Sequence, residues 1–235
     1  MKLIVGLGNP GSEYAGTRHN AGVMALRRLA ERHDLLDTRN KFHAQVADGQ
    51  LAGERVALLW PTTYMNRSGL AVGEAAAFYK TAPGEVFVLV DDFALPLGMV
   101  RLRASGGDGG HNGLADVERA LGTQDYPRLR IGVGAPRLDG RAISQTDHVL
   151  GRFTEGELAE LSPALDRAAE AAECWLREGL EPAMNRFNVN PNEKPAAAAT
   201  VAGGVSGLEN EKPFGPGSAP SAGLRSHPTE RRSCA

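Results

Sequence analysis

Five polar residues of this 235-residue chain have types and positions suited to chemistry, each standing where an apolar run gives way to a loop. Asn9 follows the run at residues 2–7, and His19 and Asn66 each precede a helical pattern. Asp91 ends the apolar run at 86–90, and Asn112 lies in the glycine-rich stretch 105–113. A neutral imidazole accepts a proton from water near neutral pH, and a carboxylate partner fixes its tautomer and stabilises the imidazolium that forms. Asparagine amides supply N–H donors for a developing oxyanion and an acceptor for an amide N–H. No Ser or Cys has a setting that would make it a nucleophile. The chemistry pointed to is hydrolysis by an activated water, not an acyl-enzyme. No His, Cys, Asp or Glu grouping has metal-ligand spacing, so no metal site is expected. Such residues are also common in turns and at helix starts, so types and spacing alone leave the catalytic reading open.

These residues need elements to hold them. Residues 2–7 suit a buried strand, and Asn20 is placed to cap a helix over 21–33 with Val23, Leu26, Leu29 and Ala30 on one face. Residues 42–47 and 55–59 flank a turn at Ala52-Gly53 and predict a hairpin. A second helix is predicted over 68–80, strands over 86–90, 99–103 and 129–133, and a helix over 114–121. Thr154 and Glu157 form a capping box for the longest helix, along which Leu158, Leu161, Leu165, Ala168, Ala172, Trp175 and Leu176 recur at helical spacing as core. Strands alternating with helices, plus one hairpin, predict a single α/β domain with a twisted mixed sheet flanked by helices. From Pro191 onward Ala, Gly, Pro, Ser and Glu dominate, so the domain is assigned to residues 1–188 and a disordered tail to 189–235.

Composition narrows the class further. With 42% hydrophobic residues the chain can bury one core. Its two cysteines, Cys174 and Cys234, cannot make a disulfide framework. The apolar start is too short for a signal peptide and no stretch is long enough to span a bilayer, so a cytoplasmic protein is expected, with no membrane partner and as a monomer. The net charge of −2 does not advertise a nucleic-acid binder. Residues 1–152, however, carry 18 Lys and Arg against 16 Asp and Glu, whereas 153–188 carry 3 against 8. The acidic excess is thus local, and a basic face elsewhere is compatible with it.

Gly6-Leu7-Gly8-Asn9-Pro10-Gly11 matches a dinucleotide-binding pattern after a strand. That fingerprint requires a helix to begin inside the glycine loop. Here the helix is postponed to about Asn20, and Glu31, at the expected acidic spacing, falls inside that first helix. A nucleotide-dependent oxidoreductase is therefore disfavoured.

The same segment, with Tyr14 and Thr17-Arg18-His19-Asn20-Ala21-Gly22, closely resembles the opening signature of bacterial peptidyl-tRNA hydrolases. Pro61-Thr62-Thr63-Tyr64-Met65-Asn66-Arg67-Ser68-Gly69 resembles the family's second motif, and Gly109-Gly110-His111-Asn112-Gly113-Leu114 its third. Arg128-Leu129-Arg130-Ile131-Gly132-Val133-Gly134 is similar to a fourth, and the likeness runs in order from residue 1 to about 188. The resemblance implies hydrolysis of the ester between a peptide and tRNA, with peptidyl-tRNA as partner and no cofactor. It implies His19 as general base, Asp91 as its orienting partner, and Asn9 and Asn66 as holders of the peptide carbonyl and amide. Asn112 would position the water or the terminal adenosine, and Tyr14, Met65 and His111 would shape the pocket. Arg103 and Arg130 would grip tRNA phosphate. Ala94 departs from the family pattern, which usually has an acid there, and Asp108 puts negative charge near the expected tRNA path. The competing reading is a non-catalytic RNA-binding protein on the same scaffold. The full set Asn9, His19, Asn66, Asp91 and Asn112 favours the enzyme.

Overall fold

The computed structural model describes residues 1–138 and 141–189. The tail expected over 189–235 lies, except for its first residue, outside the described residues. β1 (Lys2–Gly6) is apolar on both faces, and Leu3, Ile4 and Val5 are fully buried. Burial of each such side chain contributes roughly 1.5–3 kcal/mol. A strand of this kind needs a neighbour on each edge and a helix layer on each face.

α1 (Ala21–Arg32) follows β1. β2 (Arg39–Lys41), β3 (Ala44–Leu51) and β4 (Glu54–Pro61) are joined by tight turns. α2 (Ser68–Tyr79), β5 (Val86–Asp92), β6 (Val100–Arg103), α3 (Asn112–Leu121) and β7 (Arg128–Gly132) come next. The short strands β8 (Arg137–Leu138) and β9 (Arg141–Ala142) pair with each other ahead of α4 (Gln145–Leu150). α5 (Glu155–Glu178) and α6 (Leu180–Phe187) close the domain.

The main sheet has seven strands in the order β2-β3-β4-β1-β5-β7-β6. β1 runs parallel to β4 and β5, and β5 runs parallel to β7, while β3 and β6 pair antiparallel with their neighbours. The mixed sheet expected from the hairpin is what forms. One core layer joins Ile4, Phe87 and Leu129 to α1, α5 and α6, and the other joins Leu3, Val88 and Tyr126 to α2 and α3. Among the described residues, no helix is long and apolar enough to cross a membrane.

Local chemistry explains the boundaries. Thr154 and Glu157 form the capping box expected of them. Asn20 does not cap α1 through its side chain, which is used elsewhere. Leu158 is 42% exposed, unlike the rest of its stripe, because it lies in the first turn of α5 before the helix meets the sheet. Phe42 and His43 adopt left-handed angles (φ 56° and 51°) in the turn between β2 and β3, where residues with a side chain are disfavoured. Phe42 offsets that cost by packing on Phe78 and Tyr79, with ring centroids 5.0 and 5.6 Å away.

β6 is an edge strand, and its outer side is covered by one side chain. The Leu102 N–H donates to Asn188 Oδ1 (2.7 Å), and Asn188 Nδ2 donates back to the Leu102 carbonyl (3.2 Å).

Candidate active site

The loops leaving the C-terminal ends of β1 and β5 meet the first turns of α1 and α3. Gly22 makes the close approach of α1 possible. A Cβ there would collide with the carbonyl of Leu89 and the backbone of Leu7, so a larger residue would push the helix away from the sheet. The turn Arg18–Asn20 just ahead of α1 therefore lies directly over the end of β5, where Asp91 is.

His19 and Asp91 are both buried, with 8% and 3% of their surface exposed. His19 Nδ1 lies 3.0 Å from Asp91 Oδ1 and 3.1 Å from Oδ2. An ionised carboxylate only accepts, so Nδ1 carries the proton and Nε2 keeps a free lone pair. His111 Nε2 also lies 3.0 Å from Asp91 Oδ1. Its Nδ1 caps α3, accepting from the backbone N–H of Gly113 (3.1 Å) and Leu114 (3.3 Å). Backbone amides can only donate, so His111 is fixed as the tautomer protonated at Nε2. Burial alone would push the Asp91 carboxyl upward. The charge and hydrogen bond of His111, then those of His19, more than reverse this and hold it far below the usual carboxylate range.

Asn9 is oriented by the same logic. The Met65 N–H donates to its Oδ1 (2.8 Å), so the Asn9 Nδ2 donors are left for the cleft. Its backbone is clasped by Asn20, whose Oδ1 accepts from Asn9 N–H and whose Nδ2 donates to the Asn9 carbonyl, both at 2.9 Å. That clasp is the use of Asn20 in place of helix capping.

A cavity of about 430 Å³ opens at these groups, with Asn9, His19, Met65, Asn66, Asp91, His111 and Asn112 in its wall. Asn66 is exposed at the rim and Asn112 opens α3, whose N-terminal dipole favours negative charge nearby. Tyr14 is not in this wall. It sits in the turn between Gly11 and Thr17, its carbonyl accepting from Thr17 Oγ1 at 2.8 Å. Tyr64, Phe93 and, from α4, Gln145, Thr146, Val149 and Leu150 complete the wall. Sequence reasoning singles out none of these. Tyr64 stands inside a family-like motif, whereas α4 is one short helix whose only local signal is Ser144, which caps it by accepting from Asp147 N–H.

His19, Asp91 and His111 also form a group of metal-ligand type, all within 4.8 Å, which their sequence spacing conceals. Their hydrogen bonds oppose that use. A metal on His111 Nε2 would need the ring proton at Nδ1, where two backbone N–H groups already point.

Arg103 and Arg130 lie on adjacent strands, and the register sets Arg101 directly opposite Arg130 and Arg103 opposite Arg128. All four side chains leave the same face. Arg128 is buried against Glu118 at 3.1 Å, leaving Arg101, Arg103 and Arg130 toward solvent. Arg130 Nε lies 3.0 Å from Asp92 Oδ2, while Asp92 Oδ1 accepts from the Ala94 N–H at 2.9 Å. Asp92 thus holds the loop at Ala94 itself. Asp108 accepts from Gly110 N–H at 2.6 Å, a turn-forming role in the glycine loop.

Known proteins resemble the chain over about 80% of its length. The sequence profile of the family described as Peptidyl-tRNA hydrolase matches residues 3–196. The peptidyl-tRNA hydrolase of Desulforamulus reducens is 45% identical over 188 residues, covering 80% of this chain and 89% of that protein. That of Synechococcus sp. (strain JA-3-3Ab) is 49% identical over 189 residues, covering 80% and 83%. The crystal structure of peptidyl-tRNA hydrolase from Acinetobacter baumannii superposes with a TM-score of 0.73 at 39% identity, covering 80% of this chain and 94% of that one. With a cleft built from the motifs that carry the likeness, the chain belongs to the peptidyl-tRNA hydrolase family.

Proposed function

We propose that this chain hydrolyses the ester between the C-terminal residue of a peptide, or an N-blocked aminoacyl group, and the 3′ end of tRNA. The observation that carries the mechanism is the His19–Asp91 pair, which leaves an unprotonated imidazole nitrogen beside Asn9 in an open cleft. His19 Nε2 takes a proton from water as the oxygen attacks the ester carbonyl. Asp91 stabilises the imidazolium that forms. Asn9 Nδ2, with Asn66, donates to the oxyanion, and Asn112 orients the water or the terminal adenosine. His19 then returns its proton to the leaving ribose oxygen, releasing free tRNA and a peptide carboxylate. Met65 and His111 shape the site, and His111 holds Asp91 in place. Tyr14 supports the loop that carries Asn9, and Arg103 and Arg130 bind tRNA phosphate.

The reading is of a monomer, working in the cytoplasm without cofactor or metal. Residues 1–188 form the catalytic domain, and 189–235 are a tail outside the chemistry. The test is release of free tRNA from N-acetyl-aminoacyl-tRNA by the purified protein and by its His19→Ala variant. Binding of tRNA without release would favour the RNA-binding alternative.

A further inference from the structure

α2 starts without a cap of its own. Arg67, at its N-cap position, makes no side-chain hydrogen bond to the first backbone N–H groups of the helix. One of those groups is satisfied from the neighbouring helix instead. The Gly69 N–H donates to Asp116 Oδ2 of α3 at 2.7 Å. The Asp116 side chain is only 13% exposed, and its other oxygen is paired with Arg119. An acceptor at the start of a helix satisfies an orphan donor, and the helix dipole favours a negative charge there. The crossing is close because Gly69 has no side chain. A Cβ there would lie 2.2 Å from the Asp116 carbonyl oxygen.

The placement of this bond gives it a use beyond capping. Asn66 lies three residues before Gly69, in the turn Met65–Arg67 that leads into α2. Asn112 lies four residues before Asp116, one turn away on the same face of α3. Both amides line the cleft. The rest of the cleft is already tied together: Met65 N–H to Asn9, Asn20 to Asn9, and His19 and His111 to Asp91. The span from α2 to α3 is closed by Asp116, and among the described residues no other side-chain hydrogen bond joins these two helices. We infer that Asp116, outside the cleft wall, is a positioning residue that fixes the spacing between Asn66 and Asn112 across the reacting ester. The inference rests on the proposed function, which takes Asn66 as a donor to the oxyanion and Asn112 as the guide of the water or the terminal adenosine.

The test measures kcat and KM of the full chain on N-acetyl-aminoacyl-tRNA, with the melting transition of each variant recorded. Asp116→Ala should lower kcat by about 10- to 100-fold, the scale of a small misplacement of reacting groups. KM should change by less than about twofold, because the phosphate grip is untouched. Asp116→Asn keeps an oxygen for the Gly69 N–H and turns its NH2 toward Arg119, which is 74% exposed and able to swing away. It should hold kcat within about threefold of wild type, since the acceptor is retained. Arg119→Ala, which removes the ion pair alone, should leave kcat within about twofold. A double-mutant comparison separates positioning from stability. On an Asn66→Ala background, Asp116→Ala should cost clearly less than on the wild type, because part of what it positions is gone. Should Asp116→Ala not fold, Gly69→Ala takes its place: its Cβ pushes α2 off Asp116 while favouring the helix itself, and the same loss confined to kcat is expected. Equal losses for the Ala and Asn variants at Asp116 would overturn the proposal, and so would full additivity with Asn66→Ala. Failure of the underlying reading looks different: Asn66→Ala would then hydrolyse the substrate at the wild-type rate.

Discussion

His111 and His19 bind the same Asp91 oxygen, each at 3.0 Å, but only His19 is free to change its protonation. His111 is pinned by the two backbone amides it caps, so the buried carboxylate serves one working imidazole and one fixed donor. Asp91→Asn therefore has a sharp consequence. An asparagine can keep its oxygen on His111, but it then sets an NH2 donor where Oδ2 lay, 3.1 Å from the N–H of His19 Nδ1. His111 cannot change tautomer, so His19 must, and Nε2 then carries a proton and stops being a base. The variant should lose kcat toward the upper end of about 10²–10⁴-fold, with little change in Kd for a non-hydrolysable analogue. Intact single-turnover chemistry with weakened binding would show that Asp91 is a binding residue.

His19→Ala should fold normally and lose about 10²–10⁴-fold in kcat, the contribution of a positioned base. Asp91, held far below the usual carboxylate range by His111 and then His19, should keep its charge throughout the mildly acid range, and an NMR titration that showed its carboxyl protonating in the ordinary carboxylate range would overturn the paired geometry.

Arg103→Ala should flatten the salt dependence of tRNA binding by about one unit of slope, because one fewer phosphate is neutralised. Arg130→Ala should flatten it less, because Asp92 already faces that guanidinium at 3.0 Å. Both effects should fall on KM for full tRNA and vanish on a minimal substrate lacking the acceptor stem. Equal effects on both substrates would assign these arginines to the fold.

Glu157 links the end of the fold to the catalytic turn. Arg18 Nη2 reaches its Oε1 at 2.6 Å, next to His19 in sequence, and Arg18 Nη1 donates to the Arg152 carbonyl at 2.9 Å. Burial would raise the Glu157 carboxyl, but hydrogen bonds from the Thr154 backbone and Arg18 lower it overall. Its stabilisation is therefore present above the ordinary carboxylate range and lost as pH falls through the lowered folded-state value. Glu157→Gln keeps the capping geometry and removes the charge. Since the pair is partly exposed, the cost should be about 0.5–1 kcal/mol, or roughly 1–3 °C in Tm at neutral pH. The difference should disappear in acid, and a difference persisting there would assign the effect to packing.

Legibility in the sequence followed the range of the interactions. The strand at the centre, α1, α2 and the Thr154 capping box are readable because periodicity and caps are local. β2, α4 and α6 are not, being short and stabilised by what they pack on. The residues at Asn9, His19, Asn66, Asp91 and Asn112 stand out at strand and helix ends, and they line one cleft. What sequence could not give was partnership. That His111 shares the Asp91 carboxylate, that Asn20 clasps Asn9, and that Arg101 faces Arg130 depend on register and on contacts across the fold.

The Asn188 carboxamide on β6 bears on how the molecule behaves in a crowd. An open sheet edge is a template on which another chain can add a strand. Here Leu102 is the residue whose amide and carbonyl would receive it, and both are already taken. Arg101 and Arg103 flank it with like charges that a second copy of the same edge would also carry. One side chain, arriving just after α6, thus takes the hydrogen-bonding groups of Leu102 in place of a further strand. A chain cut short before Asn188 would keep its cleft but bare this edge, leaving the charges of Arg101 and Arg103 to oppose edge-to-edge dimers through β6 as concentration grows.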